Sequence, residues 1–463
     1  MTLIKSISGI RGTIGGIQGE NLTPLDIVKF TTAFGTILKD KNIGTKVVIG
    51  RDARPSGKMV SDLVSATLIG IGLDVIDLGL STTPTVEIAV TEEKAIGGII
   101  ITASHNPIQW NALKLLNERG EFIDAEVGKQ VLNLAENVDL KYAEIHKLGS
   151  YTTNNTYIDK HIEKILKLPL VDVEAIRKRK FKIIVDAVNS TGGIAVPALL
   201  KKLGVYEIEE LYCEPHGHFP HNPEPLAENL TQISTEMHRK SFDLGIVVDP
   251  DVDRLAFVCE DGNMFGEEYT LVAIAKYVLE NKKGNTVSNL SSTRALQDVT
   301  EKLGGTYQAS AVGEVNVVAK MKEIGAIIGG EGNGGVIYPE LHYGRDALVG
   351  IALFLSYLAK FGKSISMLKS TLPSYYISKN KIELTPDIDV KVLLEKVKAK
   401  YKKNPINTLD GVRIDFDKQW VHLRSSNTEP IIRIYAESDT QATADYLANS
   451  MISVIKEIIS EKK

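Results

Sequence analysis

Cysteine is scarce: two in 463 residues. Cys213 and Cys259 lie far apart and form no CxxC pair, which argues against a disulfide framework and a cysteine-built zinc site and fits a reducing cytoplasm. No apolar run approaches bilayer length, and Met1 to Ile10 has no basic region followed by a long apolar stretch, so neither membrane insertion nor secretion is expected. An excess of one charge is missing too. With 54 Lys and Arg against 58 Asp and Glu, a formal net charge of -4 offers no broad field for nucleic acid or an anionic membrane, and any anion site must be local.

What is present is length and alternation. At 463 residues with 43% hydrophobic content, the chain is expected to fold as two to four domains. Thr23, Pro24 and Asp26 mark a helix start, with Ile27, Phe30, Phe34, Ile37 and Leu38 at helical spacing. Lys46 to Gly50, Asp74 to Leu78 and Ile96 to Ile101 read as strands, with a helix from Lys58 to Ile71 between the first two, and βα alternation resumes after Lys182 to Val185. A polar stretch near 147–155 suggests one boundary and Thr371 to Ser374 another, leaving a smaller C-terminal unit.

Several apolar strands end in chemically loaded turns. Ile99 to Ile101 runs into Thr102-Ala103-Ser104-His105-Asn106-Pro107, which offers Ser104 as a nucleophile or phosphorylation site and puts His105 beside it; as a plain turn, Ser104 and Asn106 would only satisfy the backbone. Leu244 to Val248 ends in Asp249-Pro250-Asp251-Val252-Asp253-Arg254. Three carboxylates so close repel one another unless a hard cation such as Mg²⁺ offsets their charge. An EF-hand is rejected, because Arg254 takes the sixth position, where glycine is needed, although Glu260 takes the twelfth. Ala326 to Gly329 opens into Gly330-Glu331-Gly332-Asn333-Gly334-Gly335, a loop that suits a sugar hydroxyl or a mobile turn. Arg424-Ser425-Ser426-Asn427-Thr428 suits a phosphate or a hairpin. The glycine-rich stretch Ser8 to Gly16 presents Arg11, and Lys114 follows the Ser104 loop into the same cleft or onto the surface. His216, His218 and His221 sit among prolines with no completing ligand and are read as structural.

In order and spacing these motifs resemble the α-D-phosphohexomutase superfamily over essentially the whole chain. The resemblance implies three similar α/β sandwich domains (1–149, 150–255 and 256–368) and a smaller C-terminal α+β domain (369–463) around one central cleft. It implies that Ser104 is carried as phosphoserine and joins Asp249, Asp251 and Asp253 around Mg²⁺, with Arg254 at the reacting phosphate. Arg11 and Lys114 match positions that assist proton transfer, with His105 in the same motif. Glu331 and Asn333 match the sugar reader, and Arg424, Ser426, Asn427 and Thr428 the site of the non-reacting phosphate. Pro250 and Val252 replace glycines of many members with little consequence expected at the metal. Gly335 and Glu314 replace histidines of others, so no acid/base role transfers to them. The implied activity is exchange of hexose 1- and 6-phosphates through a hexose 1,6-bisphosphate, by a monomer or homodimer, with glucosamine phosphate favoured over glucose or mannose phosphate. Two other classes compete: a haloacid dehalogenase-type phosphatase with Asp249 as nucleophile and Asp251 as acid/base, and a silent sugar-phosphate binder. Interdomain closure is expected, since four loops must meet one ligand.

Overall fold

The computed structural model describes residues 2–6, 9–136, 141–385, 388–425 and 431–460. Four sheets organise them, each built largely from one stretch of chain. In the first, Lys46–Arg51 lies parallel to Asp74–Leu80 and Gly97–Ile101, while Trp110–Leu116, Gly9–Thr13 and Ile4–Ser6 extend it antiparallel on one side. Gly97–Ile101 is buried along its whole length, as helices on both faces of a parallel sheet require. One of those helices, Pro24–Asp40, starts in a reciprocal capping box between Thr23 and Asp26, as the sequence predicts.

The second sheet orders Leu255–Cys259, Leu244–Val248, Lys182–Asp186 and Glu207–Leu211; the third orders Tyr307–Ser310, Asn285–Asn289, Ala326–Glu331 and Gly335–Ile337. In both, one hairpin strand runs antiparallel to an otherwise parallel set. The fourth is wholly antiparallel, in the order Tyr376–Glu383, Ile431–Ser438, Gln419–Ser425, Val412–Phe416 and Ile406–Asn407, packed on the helix Gln441–Ser460. Three α/β sandwiches and a smaller α+β unit is the architecture the sequence leads one to expect.

Two features differ from the simple division. Tyr151–Thr153 adds a parallel edge strand to the first sheet, because Ser150 donates its N–H (2.9 Å) and Oγ–H (2.7 Å) to Asp74 Oδ1 and draws the polar stretch onto that edge. Leu255–Cys259 returns to the second sheet after the aspartate loop, so that sheet runs past residue 255. The second and third sandwiches also share one hydrophobic core. Their common member is the helix Ala347–Phe361, buried from Ala347 through Leu358, which packs on helices of both units and stacks Phe354 on Phe257 at 3.9 Å between centroids.

Candidate active site

The Ser104, Asp249 and Glu331 loops leave the carboxyl ends of buried parallel strands, where open α/β sheets place their ligand sites, whereas the Arg424 loop leaves an antiparallel strand of the fourth sheet. Ser104 adopts φ +48°, a left-handed conformation that a residue with a side chain holds only when its surroundings impose it. The imposing group is Arg54. Its Nη2 donates to the carbonyls of Ser104 (2.5 Å) and Asn106 (2.6 Å), its Nη1 to those of Pro107 (2.7 Å) and Trp110 (3.0 Å), and its Nε to Asp52 Oδ2 (3.0 Å). Asp52 in turn accepts from Thr102 Oγ1 (2.7 Å), and Thr102 Oγ1 from the Ser104 N–H (2.9 Å). One buried guanidinium therefore spends both Nη groups on the serine loop and its Nε on Asp52, which holds the same loop through Thr102.

Ser104 Oγ donates to Asp249 Oδ2 at 2.7 Å, and His105 Nδ1 lies 3.4 Å from the same Oγ. Asp249 Oδ1 accepts from the backbone N–H groups of Asp253 and Arg254, both at 3.1 Å, which curls the loop around it. Asp251 Oδ2 accepts from Thr83 Oγ1 (2.5 Å) and Lys114 Nζ (2.7 Å); Asp253 Oδ2 accepts from Arg345 Nη2 (2.7 Å) and Lys114 Nζ (3.3 Å). Pro250 O accepts from Ser190 Oγ (2.7 Å) and Thr191 Oγ1 (2.9 Å) below the loop. Val252 sits at φ +63°, where glycine would be unstrained, and its side chain is buried in the shared core; replacing glycine there acts on the backbone.

The electrostatics follow from packing charges without water. Burial, reinforced by Asp251 and Asp253, holds the Asp249 carboxyl well above the usual range. Burial would also raise Asp251, but Lys114 and its hydrogen bonds with Lys114 and Thr83 outweigh that and lower it. Burial and the cations Arg254, Arg11 and Arg345 keep His105 well below an ordinary histidine. Arg11 is itself lowered, by burial and then by Arg254.

The fully buried oxygens Asp251 Oδ1 and Asp253 Oδ1 have no hydrogen-bond partner, and one carboxylate oxygen from each of the three aspartates lies within 4.8 Å of the others. Such an all-oxygen set fits a hard divalent cation.

Across the cleft, Glu331 Oε1 accepts from Asn289 Nδ2 (2.8 Å) and the Gly313 N–H (2.9 Å). Asn333 Oδ1 accepts from the Gly335 N–H at 3.2 Å. Arg345 ties the two sides together: besides Asp253, it reaches Glu314 Oε2 (2.8 Å) and Glu331 Oε2 (3.3 Å). It also explains the two departures noted above. A Cβ at Gly335 would stand 2.3 Å from Arg345 Cδ, and Glu314 is the arginine's partner, so both positions are shaped to fit one side chain. Arg254 Nη1 pairs with Glu224 Oε1 at 3.0 Å. On the fourth unit, Arg424 Nε stands 2.8 Å from Asp410 Oδ2. Ser426, Asn427 and Thr428 lie outside the described residues, as does Ser8.

One cleft of about 2090 Å³ collects Arg11, Ser104, Lys114, Glu331, Asn333 and Arg424. Arg54, Arg345, Thr83 and Asn289 were not singled out in the sequence. The only hint is position, since Arg54 follows a strand end and Arg345 precedes a helix. The proline-rich histidines do not converge: His221 bonds Asp186 Oδ2 (3.0 Å) and the Asn222 carbonyl (2.8 Å), while His216 Nδ1 accepts from the His218 N–H.

Family profiles match in the same order as the sheets. Those described as phosphoglucomutase/phosphomannomutase alpha/beta/alpha domains I, II and III match residues 4–141, 157–262 and 266–376, and the C-terminal domain profile matches 385–454. A phosphoglucomutase/phosphomannomutase of Thermococcus kodakarensis is 37% identical, covering 97% of this chain and 98% of that one. A probable phosphoglucosamine mutase of Methanopyrus kandleri is 32% identical over 98% of each. Among solved structures, a phosphoglucomutase/phosphomannomutase family protein from Burkholderia thailandensis superposes with a TM-score of 0.84 at 27% identity, covering 98% of each chain.

Proposed function

Since the chain belongs to the phosphoglucomutase/phosphomannomutase family and is a phosphohexomutase, an isomerase that moves phosphate within a hexose phosphate, we propose that it interconverts glucosamine 6-phosphate and glucosamine 1-phosphate through phosphoserine 104. The observation that carries the serine's role is the 2.7 Å hydrogen bond from Ser104 Oγ to Asp249, at the lip of the aspartate cluster.

Ser104 Oγ holds a phosphoryl group at rest. The free hydroxyl of a bound hexose monophosphate attacks the phosphorus; its O–P bond forms as the Oγ–P bond breaks, giving a hexose 1,6-bisphosphate. The bisphosphate turns end for end, and its other phosphoryl group returns to Ser104. The proton lost by the attacking hydroxyl is the one that the released Ser104 Oγ gains, and His105, with Nδ1 3.4 Å from Oγ, is placed to accept the one and donate the other. Transfer of this kind depends on positioning and charge. Arg254 and Arg11 face the transferring group, and Lys114, engaged by Asp251 and Asp253, balances charge there. Asp249, Asp251, Asp253 and Ser104 would hold Mg²⁺, which supplies Lewis-acid neutralisation of the phosphoryl oxygens. Glu331 and Asn333 orient the sugar hydroxyls while Arg424, with Ser426, Asn427 and Thr428, holds the phosphate that is not reacting.

The amino sugar is supported by the name of the 32% identical Methanopyrus kandleri relative, a probable phosphoglucosamine mutase. Glucose or mannose phosphate is the second reading, favoured by the 37% identical relative, a phosphoglucomutase/phosphomannomutase. Initial rates on the 1- and 6-phosphates of glucosamine, glucose, mannose and N-acetylglucosamine, with Mg²⁺ and a bisphosphate primer, separate the two. Glucosamine phosphate is expected to lead; a dominant glucose or mannose rate overturns the assignment. Ser104→Ala is expected to lose at least about 10³-fold in turnover while still binding substrate. Near-normal turnover by that variant would remove the phosphoserine cycle.

A further inference from the structure

A second cluster of ligating side chains lies apart from the three aspartates, where the first three units meet. His161 comes from the helix Tyr157–Leu166 of the second unit; His342 and Asp346 come from the turn before Ala347–Phe361 in the third; Thr85 and Glu87 come from the helix Thr83–Glu92 of the first. His161 Nε2 is 2.8 Å and His342 Nε2 3.2 Å from the same oxygen, Asp346 Oδ2. Three ligands about 2.0–2.1 Å from a tetrahedral ion stand roughly 3.3 Å from one another. The two separations, 2.8 and 3.2 Å, are those of hydrogen bonds that a bound ion would replace and widen toward that spacing, and the three ligand atoms lie within 4.8 Å of each other.

The surroundings resemble an outer coordination shell. His161 Nδ1 bonds Thr85 Oγ1 at 3.0 Å, which turns Nε2 toward Asp346. His342 Nδ1 lies 3.3 Å from Glu87 Oε2, so this ring too has an oxygen partner behind it and its Nε2 in front. Asp346 Oδ1 is occupied by the Leu348 and Val349 N–H groups, leaving Oδ2 for the histidines. Glu87 is 2% exposed, yet neither of its carboxylate oxygens, nor His342 Nδ1, makes a directed hydrogen bond. A buried carboxylate in that state is costly unless a cation is near. As ligands both imidazoles would be neutral, leaving two negative charges on the carboxylates for one divalent ion to cancel; without an ion, and against the effect of burial, Asp346 and Glu87 raise His342 to about 10, and its proton carries that balance. Gly344 is cut to fit, since a Cβ there would stand 1.8 Å from Glu87 Oε2.

We propose that His161, His342 and Asp346 form a tetrahedral site for a zinc-class divalent ion, with solvent as fourth ligand and with Glu87 and Thr85 orienting the two imidazoles. The site staples three units together, and it lies between two elements that hold the aspartate loop: Thr83, at the start of the Glu87 helix, and Arg345, next to Asp346. It is independent of which hexose phosphate the enzyme prefers. Its rival is a metal-free relay of imidazole and carboxylate hydrogen bonds.

Cobalt(II) separates the two, because tetrahedral sites with nitrogen ligands absorb visible light far more strongly than six-coordinate oxygen sites. The chelator-stripped full chain is titrated with Co²⁺ and then with competing Zn²⁺. An intense tetrahedral spectrum saturating at one equivalent is expected in the wild type and in Asp251→Asn, absent in His161→Gln and His342→Gln, with Glu87→Gln binding about 10- to 100-fold more weakly. The wild-type spectrum does not depend on any variant folding. If it shows only weak six-coordinate bands, or if the tetrahedral spectrum survives in His161→Gln, the proposal fails.

Discussion

At the scale of single residues, the site rests on two arginines that each bridge a near partner to one distant in sequence: Arg54 from Asp52 to the Ser104 loop, Arg345 from Glu331 to Asp253. Arg54 and Asp52 are fully buried as a pair, and Arg54 also binds carbonyls at Ser104, Asn106, Pro107 and Trp110. Arg54→Ala is expected to destabilise the protein by about 3–5 kcal/mol, because it strands Asp52 and those carbonyls without a donor. Denaturant unfolding measures that loss, and the rate of phosphoryl transfer should fall with it. Arg54→Lys keeps the charge but not the fork, so it should recover part of the stability and little of the rate. Ser104, Asp249, Asp251 and Asp253 were legible in the sequence because each follows a short, wholly apolar strand whose end must reach a ligand or solvent. Arg54 and Arg345 were not, since their meaning lies in acceptors 50 or more residues away that only the fold brings near.

At the scale of elements, alternation of apolar strands and helices predicted the sandwiches, but not the shared core. The helix Ala347–Phe361 is apolar all round, and sequence alone does not say which two layers it separates. The Glu331 loop carries a similar hidden constraint. A Cβ at Gly332 would stand 2.0 Å from Glu268 Oε2, which accepts from the Thr293 N–H. Gly332→Ala should therefore displace the loop and raise the KM for sugar phosphate. In a Glu268→Ala background the same substitution should cost less, with a coupling on the order of 1 kcal/mol in the double-mutant cycle. The hairpin strand Gln419–Ser425 holds His422 neutral: Nε2 donates to the Asp410 carbonyl (2.6 Å), and Nδ1 meets Ser291 Oγ (2.9 Å). Burial, aided by Arg413 and Arg424, lowers its pKa to about 4 despite the opposing pull of Asp410. The folded value lies below the unfolded one near 6.5, so the contribution is present above pH 6.5 and lost as the pH falls toward 4, on the order of 3 kcal/mol. Unfolding free energies across that window should fall more steeply for the wild type than for His422→Gln.

At the scale of the whole molecule, the second and third units share apolar packing, whereas among the described residues the third and fourth are joined by polar contacts. Those include Arg413 Nη1 on the Leu290 carbonyl (2.7 Å), the Val312 N–H on Asp410 Oδ2 (3.0 Å) and the Arg294 N–H on Glu437 Oε1 (3.0 Å). Interfaces of this kind move more readily than continuous cores. The strand-linking segment after Leu372 is held by Tyr269, whose OH donates to the Pro373 carbonyl at 2.8 Å. Hydrogen exchange with and without glucose 1,6-bisphosphate should show new protection in 372–376 and 404–425 and little change in Ala347–Phe361; protection confined to the shared core would contradict a mobile fourth unit. In the proposed cycle the Arg54 clasp, by fixing the Ser104 backbone, would make the serine a lathe tool bolted to its rest: the sugar would be the workpiece that is turned, each end in turn meeting the same edge at the same angle. Neither direction is built into the protein, so the ratio of products at equilibrium belongs to the two sugar phosphates and the enzyme decides only how soon it is reached.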